Sequence, residues 1–215
     1  MKDRAQRVLV IAARPEDEAY VFGATIATLV HRGTELIVLS CSNNATAAIS
    51  ATPTTAHVPV MTAETHLAPA AEVAHETDVE ELSPLSVDEV VREILGITAH
   101  HILREDNGRQ FATMNARDLA SDIAAAITSL KPDVVVSYAK EFSGTARGSE
   151  ALLVHEATAL ATELAGVPFY TASAVPVDRG VAVSSTTALA FKRRATEIYR
   201  NEIPVGEAVS TPAEY

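Results

Sequence analysis

The stretch Arg7-Val8-Leu9-Val10-Ile11-Ala12-Ala13-Arg14-Pro15-Glu16-Asp17-Glu18 is where the fold is decided. Val8 to Ile11 is an unbroken apolar run without polar alternation, the pattern of a strand buried on both faces. The Arg14-Pro15 pair turns the chain out of it. Gly23 to Val30 then reads as a helix ended by Gly33, and Leu36-Ile37-Val38-Leu39 is a second buried run. The opening of the chain therefore predicts strand, turn, helix and strand, with the two strands parallel.

Working outward, the alternation continues. Val87 to Leu95 is amphipathic and stops at Gly96, ahead of His100-His101-Ile102-Leu103 as a short strand. Ala116 to Leu130 carries Ile123 and Ile127 four residues apart, is closed by Pro132, and leads into the buried run Val134-Val135-Val136. Glu150 to Ala165 reads as a helix stopped by Gly166, Pro168 to Val175 and Val181 to Ser184 as extended chain, and Ala188 to Arg200 as a last, basic helix. Alternating elements of this kind predict an α/β, Rossmann-like fold: a mostly parallel open sheet with helices on both faces. Residues 43–84, rich in Asn, Ala, Thr and Pro without a period, read as an irregular insertion in a single domain spanning 1–215. Ligands of such sheets sit beyond the carboxyl ends of the strands. That rule picks out the turns after Ile11 and Leu39 and the turn from Ala139 to Gly148.

Composition removes several classes of function. With 28 Asp+Glu against 17 Lys+Arg the formal charge is −11, and no Lys/Arg-rich run offers a footprint for nucleic acid or an anionic membrane. Residues 36–63 hold no charged side chain, yet Ser40, Asn43, Asn44 and Pro53 interrupt them well short of the ~20 apolar residues of a membrane span. The charged start and the brief apolar run from Val8 to Ala13 do not fit a signal peptide. Cys41 is the only cysteine, so an internal disulfide and a cysteine-based zinc cluster are excluded, and a cytoplasmic location is expected.

Glu16, Asp17 and Glu18 follow a buried strand at the start of a helix. On the residues alone they read first as helix-capping acids, with the acids of a site as the alternative. The same stretch, taken with Gly23-Ala24-Thr25-Ile26-Ala27 and Val38-Leu39-Ser40, closely resembles the PIG-L/LmbE-like family of zinc-dependent de-N-acetylases, whose first strand ends in Ala-His-Pro-Asp-Asp-Glu. The resemblance continues through Leu95-Gly96-Ile97, Asn107-Gly108-Arg109, Lys131 to Ser137, Val154-His155-Glu156-Ala157-Thr158 and Leu164 to Pro168.

In that family the His and second Asp of the first motif, with the last His of a later His-Pro-Asp-His, hold the metal, and the first Asp is the general base. Carried over, the His position is Arg14, the base position Glu16 and the second-Asp position Asp17, with Glu18 unchanged. The later motif falls on Gly148-Ser149-Glu150-Ala151, and a one-residue shift places Glu150 at the final ligand. The carbonyl-polarising His falls on Gly148, or on Arg147 after the shift. Neither register supplies a histidine. Catalytic zinc takes about three protein ligands and an open water position, and a guanidinium donates only and stays charged. No metal or other cofactor is therefore expected. Arg14 is expected to take over the metal's charge by pairing with Asp17 or Glu16. The alternative is a rearranged zinc or other divalent site built from Asp17, Glu16, Glu150 and His155.

Other motifs are weaker. Alternation sends His100 and His101 to opposite faces, and His57, His66 and His75 lie in the irregular segment. There is no Gly-x-Ser-x-Gly elbow, no phosphate loop and no dinucleotide fingerprint. Arg14, Lys140 and Arg147 are expected to converge with Asp17, Glu18, Glu150 and His155 on one cleft suited to an anionic small molecule. Three functions follow: a de-N-acetylase homologue that has lost hydrolysis and binds a small molecule or plays an accessory part, an active amidase or N-deacetylase with an altered metal set, which the resemblance implies would act on acetylated amino sugars or related metabolites, and a structural subunit. Self-association is compatible with each.

Overall fold

The computed structural model describes residues 6–42, 86–104, 114–140, 148–172 and 185–202. The expected irregular segment 43–84, Arg147, and the extended stretch Val181 to Ser184 lie outside them. Five strands, β1 (Arg7–Ala12), β2 (Glu35–Ser40), β3 (Ala99–Ile102), β4 (Val134–Tyr138) and β5 (Phe169–Ala172), form one parallel sheet in the order β3-β2-β1-β4-β5. Among the described residues six helices accompany them: α1 (Asp17–Tyr20), α2 (Gly23–His31), α3 (Val87–Leu95), α4 (Ala116–Leu130), α5 (Gly148–Ala165) and α6 (Thr186–Glu202).

Successive β1 side chains point to opposite faces, yet every residue from Val8 to Ala12 is buried, so both faces of the sheet are covered. The helices form two packed groups, α4 with α5 and α6 with α2 and α3. Local signals explain the ends. The Ser86 hydroxyl accepts from the Glu89 amide while the Glu89 carboxylate accepts from the Ser86 amide, which starts α3. Gly96 ends it at φ 72°, and a Cβ there would lie 2.7 Å from a Val30 methyl, so both the turn and the packing require glycine. The Asn115 side chain accepts from the Arg117 and Asp118 amides at the start of α4.

The boundaries of α5, α6 and β3 differ from expectation by one or two residues, and two further differences are larger. A four-residue helix, α1, begins at Asp17 itself, before the expected start at Gly23. The extended stretch after Pro168 is described only as the four residues of β5. The strand order matters most for function. The chain leaves β1 toward β2 and β3 on one side and returns to β4 and β5 on the other, so the crevice at the carboxyl ends of β1 and β4 is the topological switch point.

Candidate functional site

Arg14 follows β1 by two residues, and Glu150 lies in the first turn of α5, which follows β4. The switch point brings them together across 136 residues of sequence. Arg14 Nε donates to Glu150 Oε2 at 2.8 Å and Nη2 to Oε1 at 2.7 Å, a bidentate fork. Their side chains are only 17% and 16% exposed. Burial acts to lower the Arg14 pKa, but the hydrogen bonds and charge of Glu150, with the charges of Glu16 and Asp17, outweigh it and hold the group above its ordinary value. The bidentate partner of Arg14 is thus Glu150 rather than the adjacent Asp17 or Glu16 expected from the sequence. A guanidinium planted on a strand end meets a carboxylate planted on a facing helix more squarely than one attached two or three residues along its own turn.

Asp17 is buried and has another partner. The Tyr138 hydroxyl donates to Asp17 Oδ2 at 2.6 Å and accepts from the Ala13 amide, also at 2.6 Å. Burial, then the Asp17 charge, raises the Tyr138 pKa, so this hydroxyl keeps its proton and ties β4 to the turn after β1. Tyr138 was not among the expected site residues. Its position at the carboxyl end of a central buried strand, beside the switch point, was the available signal.

Glu18 is fully buried in a second cluster linking α1, α3 and α6. Tyr199 Oη lies 3.2 Å from Glu18 Oε1 and 2.8 Å from Asp88 Oδ1. Arg92 Nε approaches Glu18 Oε1 at 3.9 Å and Arg92 Nη2 approaches Asp88 at 3.8 Å, while Glu18 Oε2 has no hydrogen-bond partner. Burial drives the Glu18 pKa up to about 8, opposed by Arg92 and reinforced by Asp88. The third acid of the first motif therefore faces away from the Arg14 pair and is a structural member of the α6 interface.

Lys140 and His155 occupy a third place. They line a cavity of about 340 Å³ with Ala116, Glu156, Ala159 and Leu160. His155 Nδ1 lies 2.8 Å from the Tyr138 carbonyl oxygen. Since a carbonyl only accepts, Nδ1 carries the proton. The single cleft expected from the sequence thus resolves into three neighbouring environments: Arg14 with Glu150, Glu18 with Tyr199, and the cavity of Lys140 and His155. His100 is used internally, its Nε2 within 2.9 Å of Ser40 Oγ, and burial, with Arg92 and His101 nearby, lowers its pKa to about 4.

The donor set does not fit a catalytic metal. Of the alternative ligands, Glu150 is committed to Arg14 through both oxygens, one oxygen of Asp17 accepts from Tyr138, and His155 lines a separate cavity beside the cation of Lys140. Among the described residues no group of three His, Cys, Asp or Glu is placed to hold an ion.

The chain resembles a conserved protein of Thermus thermophilus at 17% identity and a TM-score of 0.59, over 90% of this chain and 78% of that one. It resembles the N,N'-diacetylchitobiose deacetylase of Pyrococcus horikoshii at 17% identity and 0.54, over 95% and 73%. The 4-carboxy-2-hydroxymuconate hydratase of Pseudomonas putida matches at 14% identity and 0.52, over 92% and 80%. At these identities the likeness shows the fold alone. No curated protein sequence matches the chain. Residues 9–163 match the family described as GlcNAc-PI de-N-acetylase, PIG-L, and since this is well over half of the 215 residues, the chain belongs to the PIG-L family.

Proposed function

We propose that this chain is a de-N-acetylase homologue that no longer carries out metal-dependent hydrolysis and instead binds a small molecule. The observation that carries this reading is the bidentate Arg14–Glu150 pair. It joins the position that the resemblance assigns to the family's first metal-binding His to the later motif that would supply the last one, which supports a guanidinium in place of a dication. Hydrolysis of an amide by this route needs a metal-held water and a base beside it. Glu16 stands at the base position, but Asp17 is the one donor retained of the three, and its Oδ2 already accepts from Tyr138. The fold itself is not tied to deacetylation, as the structural likeness to a hydratase illustrates. The retained buried acids Glu16 and Asp17 favour a second reading, an active N-deacetylase using an altered divalent site.

Metal analysis separates the two. The purified protein is expected to contain no stoichiometric zinc, and about one zinc per chain, with the three-donor set that implies, would overturn the first reading. Arg14→His alone is expected to leave zinc binding weak, because it supplies a second donor and no third. Arg14→His combined with Glu150→His places two imidazoles beside Asp17 and is expected to bind zinc with measurable affinity in a competition assay against a chelating dye. Equal zinc affinity in the single and double variants would show that Glu150 does not occupy the final ligand's place.

A further inference from the structure

We infer that the cavity between the start of α4 and the middle of α5 is a binding site for a small zwitterion bearing an apolar group, of which a free apolar α-amino acid is the simplest. This deepens the small-molecule reading above and rests on it. At about 340 Å³ the space lies at the lower end of ligand-pocket sizes and suits a compact molecule. Its described wall divides by chemistry. Ala116, Ala159 and Leu160 are apolar, and Leu160 is 40% exposed, an apolar surface that a ligand side chain would cover.

The polar residues carry opposite demands. Lys140 supplies a cation and Glu156 an anion, both exposed at the rim, and among the described residues neither enters an ion pair. His155 is held by its Nδ1 proton on the Tyr138 carbonyl and by its ring against Phe169, at a centroid separation of 5.8 Å. In the neutral ring this leaves Nε2 as an acceptor. A ligand that satisfies all three must bring a carboxylate to Lys140 and N–H donors to Glu156 and His155. A plain anion would meet Lys140 but bring its charge toward Glu156 and toward a chain of formal charge −11. A plain amine would meet Glu156 but bring its charge toward Lys140. A zwitterion carries no net charge against that field and satisfies both ends.

The test is calorimetric titration with L-leucine, compared with 4-methylpentanoate, which lacks the ammonium, and 3-methylbutylamine, which lacks the carboxylate. Leucine is expected to bind saturably, and each one-ended analogue at least about ten-fold more weakly, as loss of one charge-assisted contact implies. Lys140→Met is expected to abolish the preference over the amine, and Glu156→Gln the preference over the acid, with the thermal midpoint of each variant unchanged. The Arg14→Met, Glu150→Met double variant is expected to bind leucine as wild type does. No saturable leucine binding by the wild type would overturn the inference. Binding lost in the double variant but intact in Lys140→Met and Glu156→Gln would also overturn it while leaving the small-molecule reading in place, with the ligand seated at the Arg14 pair. Stoichiometric zinc with amide hydrolysis would instead remove the reading above, independently of any leucine result.

Discussion

Glu150→Ala is expected to lower the stability of the protein by about 2 to 4 kcal/mol, because it strands a buried guanidinium. Arg14 loses both bonds of its fork at once, and the space left by the carboxylate is too enclosed for bulk water to replace it fully, the two side chains being 17% and 16% exposed. The nearby charges of Glu16 and Asp17 still favour the cation, which keeps the loss below that of a wholly isolated buried charge. Arg14→Lys is expected to cost about 1 to 2 kcal/mol, since an ammonium cannot reproduce two parallel bonds. The decisive variant is the double one. With Met at both positions no charge is left unpaired, and a well-packed apolar pair is often as stable as the ion pair it replaces, so Arg14→Met with Glu150→Met should recover most of the loss seen in Glu150→Ala. Urea denaturation measures all of these. A loss of under about 0.5 kcal/mol for Glu150→Ala, the range of ordinary surface changes, would show that the pair contributes little and would weaken the case that it replaces a metal as the organiser of the switch point.

The strands were legible in the sequence where burial on both faces leaves a signature without ambiguity. Val8 to Ile11, Leu36 to Leu39 and Val134 to Val136 are short, unbroken and rich in β-branched residues, and they form β1, β2 and β4. The bounds of α3 and α4 followed from local chemistry, with Gly96 at the end of one and Pro132 just beyond the other. The short α1 was not legible, because a single turn carries no period and its acids fit a loop equally well. At the site, the residues were legible and their pairing was not. Arg14 and Glu150 were both singled out, but a hydrogen bond across 136 residues depends on how α5 docks, which no local pattern encodes. Tyr138 and Tyr199 were missed for the same reason. A tyrosine at the end of a buried strand or on a basic helix reads as packing, and its hydroxyl acquires a role only when a carboxylate from a distant segment arrives beside it.

The stability of the protein is expected to fall as pH rises from about 4.5 to about 8, through Glu18. Tyr199 has one hydroxyl proton and two carboxylates within reach, Asp88 at 2.8 Å and Glu18 at 3.2 Å. If both carboxylates were ionised, one would face the phenol's lone pairs. A proton on Glu18 removes that conflict, letting the carboxylic acid donate to Tyr199 while Tyr199 donates to Asp88. Burial favours the same assignment, since Glu18 is fully enclosed and its Oε2 has no hydrogen-bond partner. The sign follows from proton binding. Between the unfolded value near 4.5 and the folded value near 8, the native state holds a proton that the unfolded chain has released, so raising the pH favours unfolding. Above about 8 both states are ionised and the effect levels off. At about 1.36 kcal/mol per pH unit, the full span is on the order of 3 to 5 kcal/mol. Glu18→Gln keeps the shape and supplies an uncharged donor for Tyr199, so its stability at pH 5 should be close to that of wild type and its fall toward pH 9 should be much shallower. Urea midpoints at pH 5, 7 and 9 for both proteins give the comparison. Parallel slopes for wild type and Glu18→Gln would place the pH dependence on other groups and leave Glu18 ionised within the fold.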